Sequence, residues 1–135
     1  MPFADVNGVR LYYEEHGSGF PLVLSHGGYS GASAWEETVA LFSRRYRVVI
    51  YDRRNSGQSS MIPDADTYDL WVEDLYQLLS HLGIQRAYVG GSSYGALLTL
   101  EFTLAHPDMV EAALLFAGST AGYQPNERFN VSFPN

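Results

Sequence analysis

The order of elements legible in this chain predicts an α/β fold: a mainly parallel sheet with helices on both faces, entered through an antiparallel N-terminal hairpin. Three observations carry the prediction. From Pro21 onward, short β-prone runs alternate with runs of helical periodicity, the pattern of strands joined by crossover helices. The last strand run, Val110 to Phe116, is nearly continuously apolar, as a strand with neighbours and covered faces is. Near the start, Asn7-Gly8 separates two β-prone runs and suits the positive dihedrals of a two-residue hairpin turn.

Each element has its own local reason. Phe3 to Val6 and Val9 to Glu14 are the arms of the hairpin. Pro21 to Ser25 and Tyr46 to Tyr51 are rich in β-branched and aromatic residues and read as strands. Between them a helix is expected, with Ser33 and Glu36 as a capping box and Trp35, Val39 and Phe42 on one face. A second helix runs from about Thr67 to Leu82, turning Trp71, Leu75, Leu78 and Leu82 inward and ending at Gly83. Ala87-Tyr88-Val89 is a short strand, and Tyr94 to His106 is a helix apolar nearly all round, hence buried, and stopped by Pro107.

With 135 residues, 46% hydrophobic and 17% charged, the chain is the size of one ordinary soluble domain. That domain is expected over residues 1–120, with residues 121–135 a loop-like tail rich in Gly, Asn, Ser and Pro. Only Phe129 to Phe133 alternates as a short edge strand does. A net charge of −7 repels phosphate backbones and anionic membranes, so nucleic acid and membrane are not expected partners. The absence of cysteine excludes disulfides and thiolate metal sites and fits a reducing compartment. No secretory leader is visible at Met1 to Asp5, and the longest apolar run, Ala112 to Ala117, is far too short to span a bilayer. A cytoplasmic location is the expectation.

The chemistry concentrates in Gly91-Ser92-Ser93-Tyr94-Gly95, a Gly-x-Ser-x-Gly pattern between a strand and a helix. A serine on such a turn is held in a strained conformation with its hydroxyl clear of the sheet and helix amides beneath it. Gly91 and Gly95 supply the space the turn needs, and Ser93 is the candidate nucleophile. Ligands of parallel sheets bind at the carboxyl ends of the strands, where Gly27-Gly28, Asp52, Ser93 and Gly118-Ser119 all fall. The chemistry expected there is acyl transfer, with the amides of Gly28 and Tyr94 stabilising the oxyanion. Tyr29 and Tyr94 suggest an aromatic lining. No metal cluster, dinucleotide fingerprint or phosphate loop is visible, and the chemistry needs no cofactor.

Over residues 1 to about 120 these features resemble the α/β-hydrolases. Leu24-Ser25-His26-Gly27-Gly28 is similar to that family's His-Gly oxyanion loop, and Asp52-Arg53-Arg54-Asn55-Ser56-Gly57-Gln58-Ser59 to its Asp-x-Arg-Gly-x-Gly-x-Ser loop, with Asn55 in place of a glycine. The resemblance implies Ser93 as nucleophile, Gly28 and Tyr94 as oxyanion donors, and His26 and Asp52 as loop supports rather than base and acid. It also implies that the tail is the stump of a lid. Relatives that open epoxides or remove halide carry aspartate at the position of Ser93.

In that family the catalytic acid and histidine follow the serine, beyond the last strand seen here. His16, His81 and His106 read as surface or capping residues, and no acid occupies Ala117 to Gly122. The expectation is therefore the nucleophile half of a serine hydrolase for a small-molecule carboxylic ester or lactone. The remaining strands, acid and histidine would be supplied by a second polypeptide or are lost by truncation. The alternatives are a non-catalytic ligand-binding module and a truncated inactive fragment of the same fold.

Overall fold

The N-terminal hairpin forms where Asn7-Gly8 places it: strand β1 (Phe3–Val6) turns through Asn7 at φ 49° and Gly8 at φ 76° into β2 (Val9–His16), the geometry of a type I′ turn. The computed structural model describes residues 2–28 and 30–116. Tyr29, Gly118, Ser119 and the whole tail, including the Phe129 to Phe133 run and the expected domain end, lie outside the described residues. Four further strands complete one sheet: β3 (Phe20–Ser25), β4 (Tyr46–Tyr51), β5 (Ala87–Ser92) and β6 (Val110–Phe116), in the spatial order β1-β2-β4-β3-β5-β6. The hairpin joins β4 antiparallel through β2, and the β4-β3-β5-β6 portion is parallel.

The strand pleat sorts the core into two layers. Leu22, Leu24, Val48 and Ile50 face Trp35 and Val39, the latter on helix α1 (Glu36–Phe42). Their alternates Val23, Val49, Tyr51 and Val89 face helices α2 (Tyr68–His81) and α3 (Tyr94–Ala105), meeting Leu75, Leu78, Leu79, Leu98 and Phe102. Helices thus cover both faces. The ends of α2 are set locally: Thr67 Oγ1 accepts from the Leu70 N–H, and Gly83 at φ 70° closes the helix with Gly83 N–H to Ser80 O at 3.1 Å and Ile84 N–H to Leu79 O at 2.9 Å.

Two expectations are corrected. Ser33 and Glu36 form no capping box: Ser33 lies inside a 3-10 turn, Ala32–Trp35, and α1 starts at Glu36 with no side-chain cap. The reason is Asp52, whose Oδ1 accepts from the Ala32 N–H at 2.7 Å and starts the helical turn early. Helix α3 is not buried all round. It packs Ala96, Leu98 and Phe102 inward, but Leu104 is 51% exposed because no described element lies on its outer side. Strand β6 pairs only with β5 among the described residues, which leave its apolar run uncovered, with Leu114, Leu115 and Phe116 exposed at the sheet edge. No helix of the described residues is long and apolar enough to cross a membrane.

Candidate active site

Strand β5 ends at Ser92 and α3 begins at Tyr94, so Ser93 alone makes the turn, at φ 55° and ψ −116°. A side chain at that backbone conformation costs on the order of 1–3 kcal/mol. The flanking glycines show what the turn demands. A Cβ on Gly91 would lie 2.2 Å from the Gly95 carbonyl oxygen, and one on Gly95 would lie 2.0 Å from Ser25 O and 2.7 Å from His26 O. Each obstacle is backbone. The first turn of α3 is therefore seated directly on the end of β3, with its unpaired amides and the positive end of its dipole at Ser93.

The loop after β3 is held from behind. Arg53, buried, donates through Nη1 to His26 O and through Nη2 to Gly27 O at 3.1 Å, with its guanidinium 4.6 Å from the centre of the Trp71 ring. His26 Nδ1–H donates to the same Gly27 oxygen at 2.6 Å, while Nε2 accepts from the Arg53 N–H at 3.0 Å. In a trans peptide the carbonyl and the following N–H point in opposite directions. Fixing Gly27 O toward Arg53 and His26 therefore turns the Gly28 N–H away from them. Gly28 lines the same recess as Ser93, a space of about 320 Å³. Neither the Gly28 nor the Tyr94 N–H is taken up by an acceptor among the described residues. A Cβ on Gly28 would come within 2.7 Å of the Tyr94 ring.

His26 is the one histidine on that recess, and both its ring nitrogens are engaged. Burial, and then the nearby Arg53 charge, pull its pKa down to about 4, so it is neutral at pH 7. His16 bonds Glu14 at 2.9 Å, His81 packs edge-on to Tyr13, and His106 stacks on Tyr76 with ring centres 4.5 Å apart. The chain has four histidines in all, and none is hydrogen-bonded to the Ser93 hydroxyl. Asp52, also buried, spends its carboxylate on the N–H groups of Ala32 and Gln58, at 2.7 and 2.8 Å, tying the loops after β3 and β4 together.

Ser93, Gly28, Tyr94, His26, Gly27, Gly91, Gly95 and Asp52 thus gather at the carboxyl ends of β3, β4 and β5. Tyr29 lies outside the described residues. Sequence reasoning passed over two residues of this framework. Arg53 acts through long-range bonds that no local pattern announces. Arg54 makes a two-fold contact with Asp74, both bonds 2.7 Å, deep between the loop and α2. A signal for the second existed: Asp74 stands among Val72, Leu75 and Leu78 on the inward face of a helix, where a carboxylate needs a cation.

A family model described as alpha/beta hydrolase fold matches residues 21–131. The 2-hydroxy-6-oxononadienedioate/2-hydroxy-6-oxononatrienedioate hydrolase of Paraburkholderia phymatum is 34% identical over 120 residues, covering 84% of this chain and 42% of that protein. Among solved structures, the enol-lactonase from Burkholderia xenovorans LB400 aligns with a TM-score of 0.80 at 32% identity, over 83% of this chain and 45% of that one. The epoxide hydrolase VrEH1 from Vigna radiata aligns with a TM-score of 0.80 at 26% identity, over 84% of this chain and 38% of that one. The chain spans less than half the length of each.

Proposed function

Because the chain belongs to the α/β-hydrolase fold family, we propose that it carries the nucleophile half of a serine hydrolase acting on a carboxylic ester or lactone of a small molecule. One observation carries the reading: Ser93 alone occupies the strained strand-to-helix turn, with glycines where any Cβ would collide. In the proposed reaction Ser93 Oγ attacks the carbonyl carbon and its proton passes to a general base. The carbonyl oxygen, now negative, takes the Gly28 and Tyr94 N–H groups, and the alcohol leaves with the proton. Water then releases the acyl group from Ser93.

The relative sizes of the terms decide what the isolated chain does. Each oxyanion donor is worth about two to three powers of ten in rate. Removing the histidine of a serine hydrolase costs about a millionfold in turnover. The missing base wins, and the chain by itself turns over slowly. The acid and histidine come, on this reading, from protein that continues the sheet past β6, in this polypeptide or in a second one.

The test is prolonged exposure to a fluorophosphonate followed by peptide mass spectrometry, alongside a nitrophenyl acetate assay. Slow labelling confined to Ser93 is expected, with turnover close to background. Labelling of other serines but not Ser93 refutes the nucleophile, and rapid turnover abolished by Ser93→Ala refutes the external base. A second reading, a non-catalytic ligand-binding module, draws on the full engagement of His26. Saturable ligand binding that survives Ser93→Ala, without labelling, favours it.

A further inference from the structure

Beside the recess of Ser93 lies a larger one of about 640 Å³, and the two share Gly28 and Ser30 in their walls. Two arginines are buried here, and they differ in one respect. Arg54 is neutralised by Asp74. The guanidinium of Arg53, 4% exposed, donates among the described residues only to the neutral carbonyls of His26 and Gly27, and its Nε has no partner among them. Burying a cation without a bonded counter-charge is unfavourable, and that burial lowers the Arg53 pKa. A second donor is orphaned on the same wall: Asn55 uses Oδ1 for the Ile62 N–H, but its Nδ2 is buried and has no partner among the described residues. The wall also carries one carboxylate, Asp66, which is exposed and accepts from Trp71 Nε1 at 2.7 Å. Asp66 attracts Arg53 through space without bonding it.

Arg53 occupies the open position of the Asp-x-Arg-Gly-x-Gly-x-Ser motif, and Asn55 stands where the motif has a glycine. Their common need is an acceptor, and for Arg53 a negative one. We propose that the ester or lactone presented to Ser93 bears a carboxylate, and that this carboxylate is received in the larger recess by Arg53 and Asn55. The proposal rests on the reading of Ser93 as the nucleophile. Because Arg53 bonds the carbonyl of Gly27 and Gly28 carries the oxyanion donor, the carboxylate and the reacting carbonyl belong to one short molecule.

The probes are monomethyl adipate, which has one ester and one carboxylate, and dimethyl adipate, its neutral twin, with affinities measured by calorimetry or by chemical-shift titration. The monoester should bind about tenfold more tightly or better, as a charge-assisted hydrogen bond requires. Added salt should shrink the difference. Arg53→Gln should abolish the preference, whatever it does to both probes alike through the loop that Arg53 holds. Asp66→Asn, which leaves every Arg53 bond in place, should tighten the monoester alone and provides the test where Arg53→Gln does not fold. Equal binding of the two probes, a preference that persists in Arg53→Gln, or no selective gain in Asp66→Asn overturns the proposal. Ser93→Ala should keep the preference, so a failure of labelling at Ser93 and a failure of carboxylate selection are separate results.

Discussion

Replacing Ser93 by glycine should leave the protein more stable than replacing it by alanine. At φ 55° and ψ −116° the residue sits outside even the left-handed helical region that non-glycine residues visit. Alanine keeps the Cβ and with it a strain on the order of 1–3 kcal/mol. Glycine removes that strain but loses more conformational freedom on folding, at about 0.5–1 kcal/mol. The difference favours glycine by about 1 kcal/mol, or ~4 °C in melting temperature for a chain of this size. Urea unfolding of both variants, followed by far-ultraviolet circular dichroism, measures it directly. The hydroxyl is absent from both, so chemistry does not enter. If Ser93→Gly is no more stable than Ser93→Ala, the turn is unstrained, and the argument that this serine is held out for reaction loses its footing.

Gly95→Ala improves helix propensity by about 1 kcal/mol. It also drives a Cβ to within 2.0 Å of Ser25 O, so a net loss of ~2 kcal/mol or more is expected in the same urea experiment, and a stabilised variant contradicts the seating of α3 on β3. His26 has a folded pKa of about 4 against an ordinary 6.5. Between those values the unfolded chain binds a proton that the folded chain refuses. Stability is therefore complete above pH 6.5 and falls as pH drops toward 4, by up to about 3 kcal/mol. A flat profile in urea midpoints across that range contradicts a neutral, doubly bonded His26. Asp74→Ala leaves Arg54 buried and unpaired and should cost about 3–5 kcal/mol. Asp5→Ala, at an exposed pair, should cost less than about 0.5 kcal/mol, and equal losses in the two variants argue against the buried contact. Leu115→Lys on the open edge of β6 should reduce light scattering on heating without lowering the melting temperature, whereas a marked loss of stability means that this side chain is covered.

The parts of the fold that were legible are those whose causes are local. Asn7-Gly8 carries its hairpin in two residues, and α2 carries its caps at Thr67 and Gly83 and its inward stripe between them. The turn at Ser93 belongs with these, because the glycines that make room for it stand two residues to either side. The start of α1 was not legible in the same way: it is fixed by Asp52, twenty positions further along the chain. The edge of β6 is a different case. An apolar run reports which surroundings a strand is suited to, and says nothing of whether the described chain provides them. The turn that holds Ser93 could thus be read from sequence. The posture of the Gly27-Gly28 peptide could not, since it hangs on bonds from Arg53 to residues 26 and 27 positions earlier.

Those long-range bonds come from three consecutive residues, and each secures a different part of the molecule. Asp52 draws in the turn at Ala32 and its own loop at Gln58, Arg53 holds the His26 and Gly27 carbonyls, and Arg54 grips Asp74 of α2. Asp74 in turn accepts from Asn7 Nδ2 at 2.9 Å, so the hairpin is pinned to the same post. The loop that carries Gly28 is consequently organised within this chain. The sheet also indicates where a base can enter. Ser92 pairs with Phe116, which places the carboxyl end of β6 next to the turn at Ser93. On the proposed reading, a further strand parallel to β6 would end at that same edge, and the loop following it would emerge beside the Ser93 hydroxyl.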